Sequence, residues 1–280
     1  MVALVLALIV LLAGVGAGWG AGGPDAWALL EPGLEFGVFT APRASAAGDS
    51  RIRILRIDPA RFELLLLNAS ASPEGRGKTP REWAKGEGLV AVINASMYQG
   101  DYRSSVSLMR TRTHTNNPHV SKDNTVLVFD PLQDGAPPVQ IVDRTCQDFD
   151  SERLRYGTLV QSIRMVSCGR KNVWQKRSEE WSTAAIGLDD RQRVLFIHVR
   201  SPYPTHDLIN MLLALPIGLQ TAMYVEGGPQ AQLYVEGGGK TWELVGTHGS
   251  AFALDGGIVG ASPLPNVIGV RRRPAPVSAN

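Results

Sequence analysis

Thr221-Ala-Met-Tyr-Val-Glu-Gly-Gly-Pro229 is the stretch from which the rest of this chain can be read. Its first five residues form an apolar run of strand length, and the run stops on a carboxylate, Glu226, followed by two glycines and a proline. A strand that ends this way fixes the acid on a rigid support, and the missing side chains let a ligand approach the backbone. The pentapeptide Tyr-Val-Glu-Gly-Gly recurs at 234–238, but there it continues into Gly239-Lys240-Thr241 and reads as a hairpin turn. Upstream, Thr205-His206-Asp207 caps a helix with Leu208, Met211, Leu212 and Leu215 along one face, and Pro216 ends it. An apolar strand at 194–199 precedes that helix. The order strand, helix, strand therefore places a crossover just before the acid.

Further strands are expected at 34–40, 51–57, 62–67, 126–129, 157–160, 164–167, 183–188, 231–235, 242–245 and 266–270. Residues 89–93 are a continuous apolar run, suited to a strand buried on both faces. Thr79-Pro80-Arg81-Glu82 is a capping box with proline at the first helical position. Residues 99–123 are polar and without a periodic pattern, which is unusual inside a compact domain and often functional. The expected architecture is α+β: a single domain over 27–270 with a mixed β-sheet core flanked by a few helices. Arg271-Arg272-Arg273 opens a flexible basic tail, 271–280.

Apolar content of 44% and charged content of 19% describe an ordinary globular chain. A net charge of +2 supplies no field for nucleic-acid binding. Residues 2–13 are unbroken apolar, and small residues follow up to Gly23, so 1–23 reads as a signal peptide or an N-terminal anchor. Export, to the periplasm or the outside, follows in either case, with a membrane tether through residues 2–21 in the second. Cys146 and Cys168 are the two cysteines, and in an exported chain they suit a structural disulfide.

Two loops at strand ends carry the polar groups suited to chemistry: Asn94-Ser96-Tyr98 and Glu226-Gly227-Gly228-Gln230. His114 and His119, five apart among asparagines, do not form a helical metal pair, although Asp101, His114 and Asp123 leave a divalent-metal hydrolase as a lesser reading. His198 sits in an apolar strand as a core histidine. The Gly-Gly-Gly-Lys-Thr run at 237–241 lacks the earlier glycine of a phosphate loop, and no Gly-x-Ser-x-Gly elbow exists.

The ordered set Val92-Ile-Asn-Ala-Ser-Met-Tyr98, Leu159-Val-Gln-Ser-Ile-Arg-Met-Val166, Ser182-Thr-Ala-Ala-Ile-Gly187 and Ala222-Met-Tyr-Val-Glu-Gly-Gly-Pro-Gln230 resembles the phosphodiester glycosidase family. The resemblance runs from about Leu34 to Val235. The family's Asn-Gly-Gly-Phe-Phe segment corresponds to Asn94 to Tyr98, and its Asp-Gly-Gly-Gly-Ser segment to Glu226 to Gln230. Both lose glycines here, the Asp becomes Glu, and the usual Arg before the Thr-Ala segment is Ser182. The resemblance implies cleavage of a glycosyl phosphodiester through an oxocarbenium-like transition state. The phosphate leaves as a weak base, so it needs cations and N–H donors more than a general acid. Glu226 is then the base or cation stabiliser, with Asn94 and Arg164 as its catalytic partners. Gly227 and Gly228 would offer N–H groups, Arg110, Arg164 or Arg200 would hold the phosphate, and Ser96, Tyr98, Gln161 and Gln230 would line the sugar site. No cofactor and no metal is called for, and the partner is a glycan or glycosyl-phosphate substrate. A carbohydrate-binding or envelope-assembly protein without turnover is the competing reading.

Overall fold

The structure, a computed structural model, describes residues 27–247 and 260–274. The leader and the possible tether lie outside the described residues; within them, no helix is long and apolar enough to cross a membrane. The chain begins with β1 (Trp27–Glu31), β2 (Leu34–Thr40), β3 (Arg51–Ile57) and β4 (Phe62–Asn68), then α1 (Pro80–Glu87) and β5 (Ala91–Asn94). It continues through β6 (Met109–Arg110), β7 (Thr115–Asn117), β8 (Thr125–Pro131), β9 (Val139–Asp143) and the one-turn α2 (Phe149–Glu152). Next come β10 (Tyr156–Val166), β11 (Glu180–Asp189), β12 (Val194–Pro204), α3 (Thr205–Ala214) and β13 (Leu219–Gly227). The last elements are β14 (Gln232–Gly237), β15 (Lys240–Val245) and β16 (Asn266–Arg272).

These strands form two sheets. The larger runs β1-β2-β3-β12-β11-β13-β10-β6-β7, with β8 and β9 attached beside β10, and the smaller runs β15-β14-β5-β16-β4. One apolar cluster joins their facing sides, with Phe36, Leu55 and Ile57 from the larger sheet against Leu64, Ile93, Leu233 and Ile268 from the smaller. On the outer side of the larger sheet, Leu208, Ile209 and Leu212 of α3 cover Ile54, Ile197 and Ala222. On the outer side of the smaller, Trp83 of α1 covers Val92, Tyr234 and Val267. The layers are thus helix, sheet, sheet, helix. This explains why residues 91–93 are apolar on both faces: one side meets the sandwich core and the other meets α1.

The expected mixed sheet is corrected. The pairings between named strands are all antiparallel, and the molecule is richer in strand than an even α+β balance. The crossover before the acid is present, since α3 links β12 to β13, which run in the same direction. It skips one position in the sheet, and β11 fills the gap antiparallel to both neighbours. The basic tail is also corrected. Arg271 and Arg272 complete β16, where Arg271 Nε donates to Glu63 and Arg272 Nε to Glu31, each at 2.8 Å. The 237–241 run forms the expected hairpin, with Gly238 at φ +58° and Gly239 at φ +72°, where side chains are strained.

The capping box of α1 is complete: Glu82 N donates to Thr79 Oγ1 at 3.3 Å, and Thr79 N donates to Glu82 Oε2 at 2.8 Å. Thr79→Ala removes the acceptor and is expected to cost about 1 kcal/mol, with Thr79→Ser nearly neutral. Urea unfolding checks this as a lower midpoint at unchanged slope.

Candidate active site

Glu226 stands at the end of β13, a strand paired on both sides. Toward β11, Tyr224 pairs with Ala185 and Glu226 with Ala184, so Val225 is an extra residue in a β-bulge. Bulges re-aim side chains beside functional sites. Toward β10, Tyr224 pairs with Ile163 and Met223 with Arg164. The acid is therefore carried by the middle of the larger sheet, at the end nearest the segment that follows β5.

Its carboxyl is largely removed from water. Oε1 accepts one bond, from Gly227 N at 3.0 Å, and among the described residues no cation offsets the burial. Burial pushes the Glu226 pKa up to about 7, with that single N–H opposing the rise. Two phenols lie within its electrostatic reach. Burial and then the charge of Glu226 push Tyr98 up to about 12, and Tyr224 is raised for the same two reasons. Both remain neutral at physiological pH. The Tyr98 hydroxyl donates to Gln230 Oε1 at 2.9 Å.

The turn after the acid is fastened from three sides. Gly228 has φ +59°, where glycine is favoured. Asn94 Nδ2 donates to Gln230 O and Asn94 Oδ1 accepts from Gln232 N, both at 2.8 Å. His198 Nε2 donates to Ala231 O at 3.1 Å, and burial lowers that imidazole to about 4, so it acts as a neutral donor. Gly246 closes the third side: a Cβ there would lie 2.1 Å from Gly228 O.

A cleft of about 480 Å³ opens beside this end of the sheet, walled by Ile163, Trp174 and Trp181, with Arg164, Lys122 and Arg177 supplying positive charge. Trp174 packs on Tyr224 with ring centroids 5.3 Å apart. A Cβ on Gly227 would lie 1.9 Å from the Tyr224 hydroxyl and 2.9 Å from Trp181 Cδ1, so only glycine lets these aromatic walls reach the residue next to the acid. The Trp181 indole N–H leans toward the Tyr224 oxygen but is not in hydrogen-bond geometry, and Thr183 Oγ1 is likewise buried without a partner. Two unmatched polar atoms thus lie on the β11 side of the acid. Arg164 is oriented from behind: Nη1 donates to both oxygens of Asp143, at 2.8 and 3.0 Å, and to Thr145 Oγ1. Asp143 also accepts from Cys168 N at 3.1 Å, and the Cys146–Cys168 disulfide closes that turn.

The other residues singled out in the sequence are placed differently. Asn94 has its amide engaged by backbone on both ends. Ser96 is buried and donates to Gln161 O and Ser162 Oγ. Gln161 is buried, and its side chain binds Ser121 N, Ser121 O and Asp123 O, fastening the 99–123 segment. That segment is not structureless, since β6 and β7 lie within it. Arg110 turns to the carbonyl of Arg153 at 3.3 Å, behind α2. Arg200 lies on β12, where its charge disfavours protonation of His198. Asp101, His114 and Asp123 do not come together: Asp101 binds Ser104, His114 Nε2 meets Ser70 Oγ, and Asp123 binds Ser107 and Ser121. Among the described residues the one three-member group at metal-binding distance is Asp143, Cys146 and Cys168, whose sulfurs form the disulfide. Sequence reasoning missed Trp174, Trp181, Lys122 and Arg177. Trp181, directly before the Ser-Thr-Ala-Ala segment, was the available signal.

Residues 87–271 match the phosphodiester glycosidase family. No curated protein sequence matches the chain significantly. The fold is similar to that of the catalytic domain of zebrafish N-acetylglucosamine-1-phosphodiester alpha-N-acetylglucosaminidase, auto-inhibited by its pro-peptide, with a TM-score of 0.61 at 11% identity over 87% of this chain and 85% of that one. It is also similar to a hypothetical protein from Synechocystis, with a TM-score of 0.58 at 12% identity over 90% of this chain and 64% of that one. At such identities the likeness is one of fold.

The raised acid has a stability signature. An ordinary carboxyl ionises near 4.5 in the unfolded chain, whereas Glu226 holds its proton to about 7. The penalty is absent below about pH 4.5, grows as pH rises to 7, and is complete above it. Glu226→Gln is therefore expected to match the wild type near pH 4 and to exceed it at pH 8 by up to roughly 3 kcal/mol. Urea titrations at both pH values check the sign and the window.

Proposed function

Because the chain belongs to the phosphodiester glycosidase family, we propose that it is an exported hydrolase of a sugar-1-phosphodiester or a related envelope glycan linkage. The observation that carries this reading is Glu226, a half-buried acid whose pKa is pushed up to about 7 and whose neighbours Tyr224 and Gly227 meet Trp174 and Trp181 in the wall of the cleft that Arg164 lines. A general base works best with a pKa near the operating pH.

In the proposed reaction the sugar lies against Glu226 and the phosphodiester extends into the cleft. The ionised carboxyl takes a proton from water as the water oxygen bonds to the anomeric carbon. The bond from that carbon to the phosphate oxygen breaks, and its electron pair leaves with the phosphate. Arg164, held by Asp143, receives the anion together with Lys122 and Arg177. The neutral hydroxyl of Tyr224 is suited to donate to a sugar oxygen, while that of Tyr98, whose proton goes to Gln230, is suited to accept from a sugar hydroxyl. Gly227 keeps the backbone open beside them.

Export is supported by the Cys146–Cys168 disulfide, which persists in oxidising compartments, and by the apolar run at 2–13. A binding protein without turnover is the alternative supported by the departures from the family pattern, above all the loss of glycines from both segments.

Turnover of aryl-phosphate glycosides of several sugars is the test. Wild-type activity is expected to rise with pH through an apparent pKa near 7. Glu226→Gln should lower kcat by at least a hundredfold while ligand affinity changes less than fivefold. Binding without hydrolysis by the wild type would support the non-catalytic alternative instead.

A further inference from the structure

Just beyond the strand-end asparagine, the chain makes a tight turn that presents a second tyrosine. Tyr98 bridges to Ser105, Gln99 N donates to Ser104 O at 2.7 Å, and Tyr102 N donates to Gln99 O at 3.0 Å. Asp101 pins the tip by accepting from Arg103 N, Ser104 N and Ser104 Oγ. Tyr102 has φ +54°, a left-handed backbone that is costly for a bulky side chain. Its side chain is also poorly packed: Tyr102 is 67% exposed, among the most exposed large residues of the described chain. The ring has one notable aromatic neighbour, Tyr98, with centroids 5.6 Å apart and planes tilted by 47°. The fold thus carries backbone strain and a bare aromatic surface at a place where glycine would incur neither. Both costs are offset when another group stacks on the ring.

Tyr98 leads from this ring to the acid. Its hydroxyl binds Gln230 in the turn after Glu226, and its phenol feels the charge of Glu226. The platform approaches from the smaller sheet, by way of β5. Arg164 and the cationic cleft approach from β10 of the larger sheet. The two lie on different elements: the platform is in the segment that follows β5, and the cleft is walled by residues of β10 and the start of β11.

We propose that Tyr102 and Tyr98 form a stacking platform for a second pyranose ring, on the glycosyl side of the bond that water cleaves with Glu226 as base. The platform takes the apolar C–H face of that sugar, as exposed aromatic rings with an amphipathic edge do. The substrate class is then the 1-phosphodiester of a disaccharide or longer glycan rather than of one sugar. This rests on the reading of Glu226 and the cleft given above.

The test uses full-length Glu226→Gln protein, so that ligands survive, and calorimetric titration with methyl phosphodiesters of glucose, N-acetylglucosamine and their β-1,4-linked disaccharides. The expected result is at least fivefold tighter binding of a disaccharide ligand than of its monosaccharide. Adding Tyr102→Gly should abolish that preference, leave monosaccharide binding unchanged, and keep or raise Tm because the strain is relieved. Adding Tyr102→Trp should retain the preference. Equal binding of mono- and disaccharide ligands by the parent, or a preference that survives Tyr102→Gly, would overturn the platform while leaving the acid and cleft in place. Binding of none of the ligands would overturn the cleft assignment and the platform together.

Discussion

The carboxyl of Glu226 is held half-buried with one backbone N–H and, among the described residues, no counter-ion, and the neighbouring structure is arranged around that condition. An isolated ionised carboxylate in such a place is costly, so the group keeps its proton until near neutral pH. The β-bulge at Val225, the left-handed Gly228 and the glycine at 246 each give up regular packing to keep the acid and its turn in place. None of them strengthens the sheet. Together they hold a poorly solvated acid beside an open cleft.

Around the acid, much of the buried polar chemistry serves the backbone. Asn94, Gln161 and Ser96 all bind main-chain groups, as buried segments that leave regular strands require. Their work is to fasten the two loops that a substrate would meet. Arg164 lies at the end of a second chain of support, from the disulfide through Cys168 N and Asp143 to its guanidinium. The disulfide closes a loop of 22 residues, worth on the order of 3 kcal/mol by the chain-entropy argument, and it also sets the direction of a cation in the cleft.

Much of the fold was legible because alternation and apolar runs report burial directly. β2 and β3 span the expected residues, and α1 starts on its capping box. Legibility failed where burial and polarity part company. β10 reads as two strands, 157–160 and 164–167, because Gln161 and Ser162 interrupt the apolar run, yet both are fully buried and hydrogen-bonded within one strand. β9 was hidden behind the proline-rich loop before it. Strand direction was not legible either, since composition does not show that β11 would insert between β12 and β13. Arg271 and Arg272 read as a tail because their partners, Glu63 and Glu31, lie more than 200 residues away in the chain. At the site, Glu226 was visible as a strand-end acid. Its aromatic surroundings were not, because Trp174 and Trp181 meet its neighbours Tyr224 and Gly227 only through strand pairing and packing.

The most direct measurement is the ionisation of Glu226 itself, followed by carbon-13 NMR of its side-chain carboxyl as pH is raised, with Glu226→Gln identifying the resonance. The account predicts a midpoint near 7. A midpoint in the ordinary range around 4.5 would contradict it, since the acid would then be solvated or paired and would not be the neutral-range base on which the site depends.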